Sequence, residues 1–220
     1  MTESAERPSR IVIATGNPHK VSEIAAVFGS ALPGIEVVGL DAAGGPFPEP
    51  VEDGDTFEAN ATIKARAYAR ATGAWCLADD SGLEVDALDG KPGVISSHYF
   101  CDGGASDLPR AERDAKNNGR VLRELEGVAG EQRSARFVCV MVLADANGAV
   151  RARARGSFEG RIGSPPRVPA GENGFGYDPL FLTADSGFAV ASAELKPDEK
   201  NALSHRAAAG RAMVGLVRDL

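Results

Sequence analysis

Two adjacent aspartates, Asp79 and Asp80, follow the apolar run Ala74–Ala78 and lead into Ser81 and Gly82. Neighbouring carboxylates at the carboxyl end of a strand suit a hard divalent cation such as magnesium. One of them can also serve as general base toward water. The same residues read equally as a plain turn, since Asp, Ser and Gly are turn formers. Upstream, the loop "EPVEDGDTFEAN" carries Glu49, Glu52, Asp53 and Asp55. Acids in such a run are mostly solvated; one of them reaching a metal is the functional alternative. Asn60 and Lys64 lie four residues apart on the next predicted helix and so share a face. Lys64 sits in an apolar, alanine-rich segment, either as a lysine whose stem covers the core edge or as a phosphate ligand.

A second candidate is Thr15-Gly16-Asn17-Pro18-His19-Lys20, where a β-branched run meets a helical pattern. A helix N-terminus presents free N–H groups and the positive end of a dipole, which together bind anions. Asn17 can cap this helix with Pro18 at its first position. Lys20 in the first turn opposes the dipole, so it reads as an anion ligand or as a solvated lysine on a capped helix. Neither GxxxxGK[ST] nor GxGxxG is present, which excludes a Walker loop and a dinucleotide loop.

Two further stretches carry chemistry. In "GENGFGYDPLF", glycines surround Phe175 and Tyr177, with Asp178 next. Glycines let backbone pass close to a ligand, and an aromatic held there can stack on a nucleobase. A strand entry with a buried Phe is the structural alternative. In "EKNALSHRAA", Ser204 reads as an N-cap that puts His205 and Arg206 in the first helical turn. Two potential cations at that end are electrostatically awkward, which suggests an acceptor-rich ligand; the upstream Lys200 adds a third.

The elements that must position these residues alternate along the chain. Strands are predicted at 11–15, 35–39, "AWCLA", "LEVDAL", "RFVCVMVLAD" and "AVRARARGSF", with "DDSG" breaking the third from the fourth. Helices are predicted from about 18, from Asp55 with an Asp55/Glu58 capping box to Gly73, over 107–126, and from Ser204 to the end. Asn147-Gly148 is a strong hairpin signal. Interleaving with one hairpin implies an α/β fold with a mixed central sheet flanked by helices. The 220 residues suit one large domain or two small lobes. A net charge of −7 argues against sequence-independent nucleic-acid binding. Cys76, Cys101 and Cys139 lack metal-ligand spacing; Cys76 and Cys139 read as buried thiols, in keeping with a reducing compartment. No run reaches membrane-span length. Residues 1–9 read as a frayed polar tail without a signal-peptide core, on a cytoplasmic protein whose folded domain is 10–220.

The blocks "ATGNPHK", "TFEANATIKA", "ADDSGLEVDAL" with "GKPGV", "FGYDPLF" and "EKNALSHRAA", in this order, resemble the inosine/xanthosine triphosphate pyrophosphatase family. The resemblance implies a long mixed sheet in two lobes around an active-site cleft, usually as a homodimer. It implies hydrolysis of noncanonical purine nucleoside triphosphates (ITP, dITP, XTP) to monophosphate and pyrophosphate, with magnesium. Thr15 to Lys20 match its triphosphate-binding stretch. Asp80 matches the catalytic acid and metal ligand, and Ser81 a substrate contact. Phe175, Gly176, Tyr177 and Asp178 match the base-binding segment. Lys200, His205 and Arg206 match the remaining substrate contacts, and Glu52 aligns near the second acidic metal position. Arg206 and His205 as donors would accept a 6-oxo purine. His98 stands where arginine is frequent. The alternatives are a Maf-like pyrophosphatase with another base preference and a noncatalytic nucleotide-binding module.

Overall fold

A computed structural model describes residues 8–220; the expected tail falls mostly on residues 1–7, which lie outside the described residues. In chain order the strands are β1 (Arg10–Ile13), β2 (Glu36–Gly39), β3 (Trp75–Val85), β4 (Ser134–Ala144), β5 (Val150–Ile162) and β6 (Phe181–Thr183). The helices are α1 (Pro18–Ala31), α2 (Phe57–Thr72), α3 (Arg110–Glu124), α4 (Pro197–Leu203) and α5 (His205–Arg218). The strands form one six-stranded sheet in the order β2-β1-β3-β4-β5-β6. β1 is parallel to β2 and β3, and β5 is antiparallel to β6, so the sheet is mixed as expected.

The chain forms two compact units. One comprises the chain up to Ser81 with Cys139–Gly156 and His205–Leu220; the other comprises Gly82–Val138 and Ser157–Ser204. In the first, Ile11, Ile13 and Leu77 pack with Met141 and Leu143 against Phe28 of α1 and Met213 of α5. In the second, Leu83 and Val85 pack with Val121 of α3, with Leu125 just past its end and with an aromatic group. The Phe181 ring centroid lies 4.7 Å from that of Phe137 and 5.4 Å from that of Phe158, spacings at which aromatic pairs attract.

Several local expectations change. "DDSG" does not break a strand: β3 runs unbroken through Asp79–Gly82 to Val85. The turn preference of those residues is local and weak, whereas β3 extends beyond its pairing with β1 at Trp75–Leu77 as a neighbour of the long strand β4. The cap of α2 is Thr56, extended at φ −135°, whose side chain accepts from Ala59 N at 3.1 Å, so no Asp55/Glu58 capping box forms. The charged helix is shorter than expected because Pro109, at ψ 149°, precedes its start. α4 was not predicted, although Pro197 at its first turn with Asp198 and Glu199 behind it is a start signal. The Asn147-Gly148 turn forms, closed by Asp145 N donating to Ala149 O at 2.9 Å. Cys76 and Cys139 are buried.

Candidate active site

Successive residues of a strand face opposite sides, and the continuity of β3 therefore separates the two aspartates. Asp79 is 2% exposed. Its Oδ2 lies 3.0 Å from Lys20 Nζ and accepts from Arg206 Nε at 3.3 Å and Nη2 at 3.2 Å. Burial alone would raise its pKa, but Lys20 and Arg206 hold the carboxyl well below the usual range. Ser81, two residues on and so on the same side, accepts from Arg206 Nη2 at 3.1 Å. Arg206 Nη1 donates to Glu23 Oε2 of α1 at 2.7 Å. The charge at the start of α5 is thus met by the protein's own acceptors. Arg206 is 5% exposed and engaged by Asp79, Glu23 and Ser81. Lys20, at the positive end of α1, is likewise balanced by Asp79.

Asp80 faces a different set. Its Oδ1 lies 3.3 Å from Lys64 Nζ, and its Oδ2 accepts from Asn60 Nδ2 at 3.4 Å. Asn60 is itself fixed by Gly54 N, which donates to its Oδ1 at 2.8 Å. Burial raises the Asp80 pKa and the Glu52 carboxylate adds to this, against the opposing pull of Lys64. Lys64 Nζ also reaches Glu52 Oε2 at 2.6 Å. Burial would lower the Lys64 pKa, but Asp80 and Glu52 outweigh it and the ammonium is stabilised. Asp80 is therefore a half-buried carboxylate with long contacts and raised basicity, the properties of a candidate general base.

The predicted Glu52/Asp80 pair is brought together, since both carboxylates reach the same nitrogen. Asp79 is not part of it. Among the described residues no group of three or more His, Cys, Asp or Glu converges to hold a metal. A two-carboxylate site fits magnesium, which commonly takes one or two protein carboxylates and fills the rest with water and phosphate oxygens.

The Thr15–Lys20 stretch is delivered by β1. Ala14 N donates to Leu77 O at 2.8 Å, and Asn17 N donates to Thr15 Oγ1 at 3.2 Å. Pro18 opens α1, and Val21 N donates to Asn17 O at 3.1 Å, as the sequence predicts. Gly16 faces open space. The His19 side chain lies outside the described residues. His205 opens α5 and is half-buried. Its carbonyl lies so near β5 that a Cβ on Gly156 would sit 2.4 Å from it and 2.3 Å from Ala209 N. Only glycine permits that approach. Neither Glu23 nor Gly156 was foreseen; the one available signal was Glu23's place three residues after Lys20 on a helix.

In the second unit, Phe175 is 43% exposed. Its N–H donates to Asp178 Oδ2 at 2.8 Å. Asp178 Oδ1 accepts from Ser192 Oγ at 2.9 Å, and Lys200 Nζ donates to Oδ2. Gly174, at φ 80°, leaves room for this: a Cβ there would lie 2.3 Å from Asp178 Oδ2 and 2.6 Å from Lys200 Nζ. Gly176 N donates to Asp114 Oδ2 and Gly176 O accepts from Asn118 Nδ2, each at 3.0 Å. The result is a rigid turn presenting one aromatic ring, with Arg110 Cζ 4.2 Å and Lys200 Nζ 5.1 Å from its centroid. Tyr177, which matches the base-binding segment, is buried, and its hydroxyl donates to Ser96 O at 2.7 Å. Its side chain anchors the turn. Asp114, Asn118, Ser192 and Arg110 were not foreseen.

Comparison with known proteins agrees with this reading. A dITP/XTP pyrophosphatase of Nitratidesulfovibrio vulgaris is 50% identical over 209 residues, covering 94% of each chain. One of Nocardia farcinica is 43% identical over 215 residues, covering 96% of this chain and 95% of the relative. The solved structure of a HAM1 protein from Coxiella burnetii matches with a TM-score of 0.80 at 37% identity, covering 96% of this chain and 99% of that one. The profile of the Ham1 family matches residues 11–216, nearly the whole described chain. The five sequence blocks, the mixed sheet and these full-length matches agree: the chain belongs to the Ham1 family.

Proposed function

We propose that the protein is a nucleoside triphosphate pyrophosphatase that hydrolyses dITP, ITP and XTP to the monophosphate and pyrophosphate. The observation that carries this is the division of labour on β3: Asp79 is locked by Lys20 and Arg206, while Asp80 is left with long contacts and a raised pKa. Asp80 orients water for in-line attack and takes its proton. The water oxygen bonds to the α-phosphorus, the bond from the α-phosphorus to the bridging oxygen breaks, and pyrophosphate leaves. The N-terminus of α1, at the end of the Thr15–Lys20 stretch, and the Lys20 and Lys64 ammoniums hold the phosphates and offset charge on the leaving group. Glu52 and Asp80 would hold magnesium, which when bound neutralises phosphate oxygens.

Base recognition is assigned to the Phe175 turn, whose ring stacks on the purine. His205 and Arg206, in the first turn of α5, are assigned the donors to the 6-oxo oxygen. A site built on hydrogen bonds discriminates against a base with the opposite pattern by up to roughly 10⁴-fold. No helix among the described residues is long and apolar enough to cross a membrane; a cytoplasmic homodimer acting on free nucleotides completes the reading.

The test is pyrophosphate release from dITP, ITP, XTP, GTP and ATP, with magnesium and with EDTA. Magnesium-dependent turnover of the first three, with GTP and ATP nearly inert, is expected. Equal turnover of all five would remove the base assignment and leave the phosphate chemistry. No turnover of any would end the enzyme reading.

A further inference from the structure

The two carboxylates that suit a divalent cation are bridged by a cation that the chain itself supplies. Lys64 Nζ lies 2.6 Å from Glu52 Oε2 and 3.3 Å from Asp80 Oδ1. Its position is built from the start of α2. Thr56 caps the helix, Asn60 one turn on is fixed by Gly54, and Lys64 follows one turn later on the same face. Asn60 and Lys64 then take the two oxygens of Asp80 separately. The lysine is only 9% exposed, so it is a placed group and not a surface side chain that has found an acid. Without a positive charge here, two close carboxylates would repel in a poorly solvated place. A divalent cation would supply the same charge to the same oxygens.

We propose that Lys64 is a resident stand-in for the divalent cation. It neutralises the Glu52–Asp80 pair in the free protein, gives up that pair when the cation binds, and is thereby released toward phosphate oxygens. Lys64 and the cation compete for one pair of carboxylates, so the free protein holds the cation weakly. A phosphate-bearing ligand that takes Lys64 removes the competitor and strengthens cation binding. By linkage the cation strengthens ligand binding equally. The phosphate half of this statement rests on the pyrophosphatase reading; the competition for Glu52 and Asp80 does not.

The experiment measures Mn²⁺ binding to the full chain without nucleotide, by electron paramagnetic resonance of the free ion. Wild type is compared with Lys64→Met, Lys64→Gln, Lys64→Arg and the double variant Lys64→Met/Asp80→Asn, each checked for folding by circular dichroism. The two neutral variants are expected to bind Mn²⁺ at least about tenfold more tightly, because a fixed positive charge a few ångströms away disfavours the ion by that order even when screened. Lys64→Arg keeps the charge and should stay as weak as wild type. Adding Asp80→Asn should abolish the gain and locate it at this pair. Equal or weaker Mn²⁺ binding in both folded neutral variants overturns the proposal. Pyrophosphate release from ITP by wild type is measured in parallel. If it is absent the reaction reading fails, while the Mn²⁺ comparison still decides the competition.

Discussion

Asp80 in the first unit and Asp178 in the second are each paired with a lysine, yet the two sites are built in opposite ways. Asp178 has its acceptor capacity engaged by Ser192 Oγ, Phe175 N and Lys200 Nζ. Its carboxylate holds an irregular turn in shape, and the turn's one exposed ring is what remains for a ligand. Asp80 stands on a regular strand that needs no such support. Its two contacts are long, at 3.3 and 3.4 Å, and burial raises its basicity. Where secondary structure positions the backbone, a carboxylate can be left underused and reactive. Where the backbone is irregular, the carboxylate is consumed in holding it.

Three substitutions break this comparison, in order of expected effect. Asp80→Asn should keep the fold and lower kcat for ITP by roughly 10²–10⁴-fold, the usual scale for losing a general base. Turnover near wild type would move the chemistry elsewhere. Asp79→Asn differs by one position in the chain but removes the partner of Lys20 and Arg206. It should cost about 3–5 kcal/mol of stability by denaturant titration, as breaking a buried pair does. A variant as stable as wild type would mean that Glu23 alone satisfies Arg206. Asp178→Asn keeps the shape of the carboxylate but unpairs Lys200, which is partly exposed. A loss of about 2 kcal/mol is expected, with KM for ITP rising more than kcat falls, because the turn loosens without touching the reacting atoms. A kcat loss as large as that of Asp80→Asn would place Asp178 in the chemistry.

Much of this was legible in the sequence where the signal is local. Pro18 after Asn17, Gly73 ending α2 and Asn147-Gly148 between β4 and β5 each constrain their own backbone, and each element formed as read. The pair Asn60/Lys64 was legible for the same reason, being four residues apart on one helix. What failed depended on distant neighbours. The turn formers at Asp79–Gly82 became strand because β3 pairs with β4, which lies more than fifty residues on in the chain. The partners that Arg206 finds within the chain were equally hidden, because Glu23, 183 residues away, gives no local sign that it meets it. Tyr177 lay within a block that reads as ligand-binding, yet only packing decides which of two adjacent aromatics faces water. Gly156 was illegible because its need arises from the approach of α5, fifty residues later.

The departure at His98 gives the smallest and most specific test, and it lies in the second unit. His98 Nδ1 is 2.9 Å from Ser97 Oγ, and Arg113 Nη1 is 3.5 Å from its Nε2. Burial lowers the imidazole pKa and the Arg113 guanidinium lowers it further. The folded state therefore binds this proton less readily than the unfolded chain, whose histidine titrates near 6.5. Below that pH the unfolded chain takes up a proton that the native site resists, so stability falls as pH drops toward the depressed folded value and is regained as pH rises. His98→Gln cannot titrate and should lose less stability than wild type between neutral pH and about pH 5.5. The difference should stay below about 1 kcal/mol, because the site is half-exposed and screened. Denaturant titration of both proteins across that range measures it. Parallel curves would mean that Arg113 swings away from the imidazolium, so that the segment Gly93–Cys101 tolerates a charge there. Divergent curves would mean that the second unit is built around a neutral ring at this position.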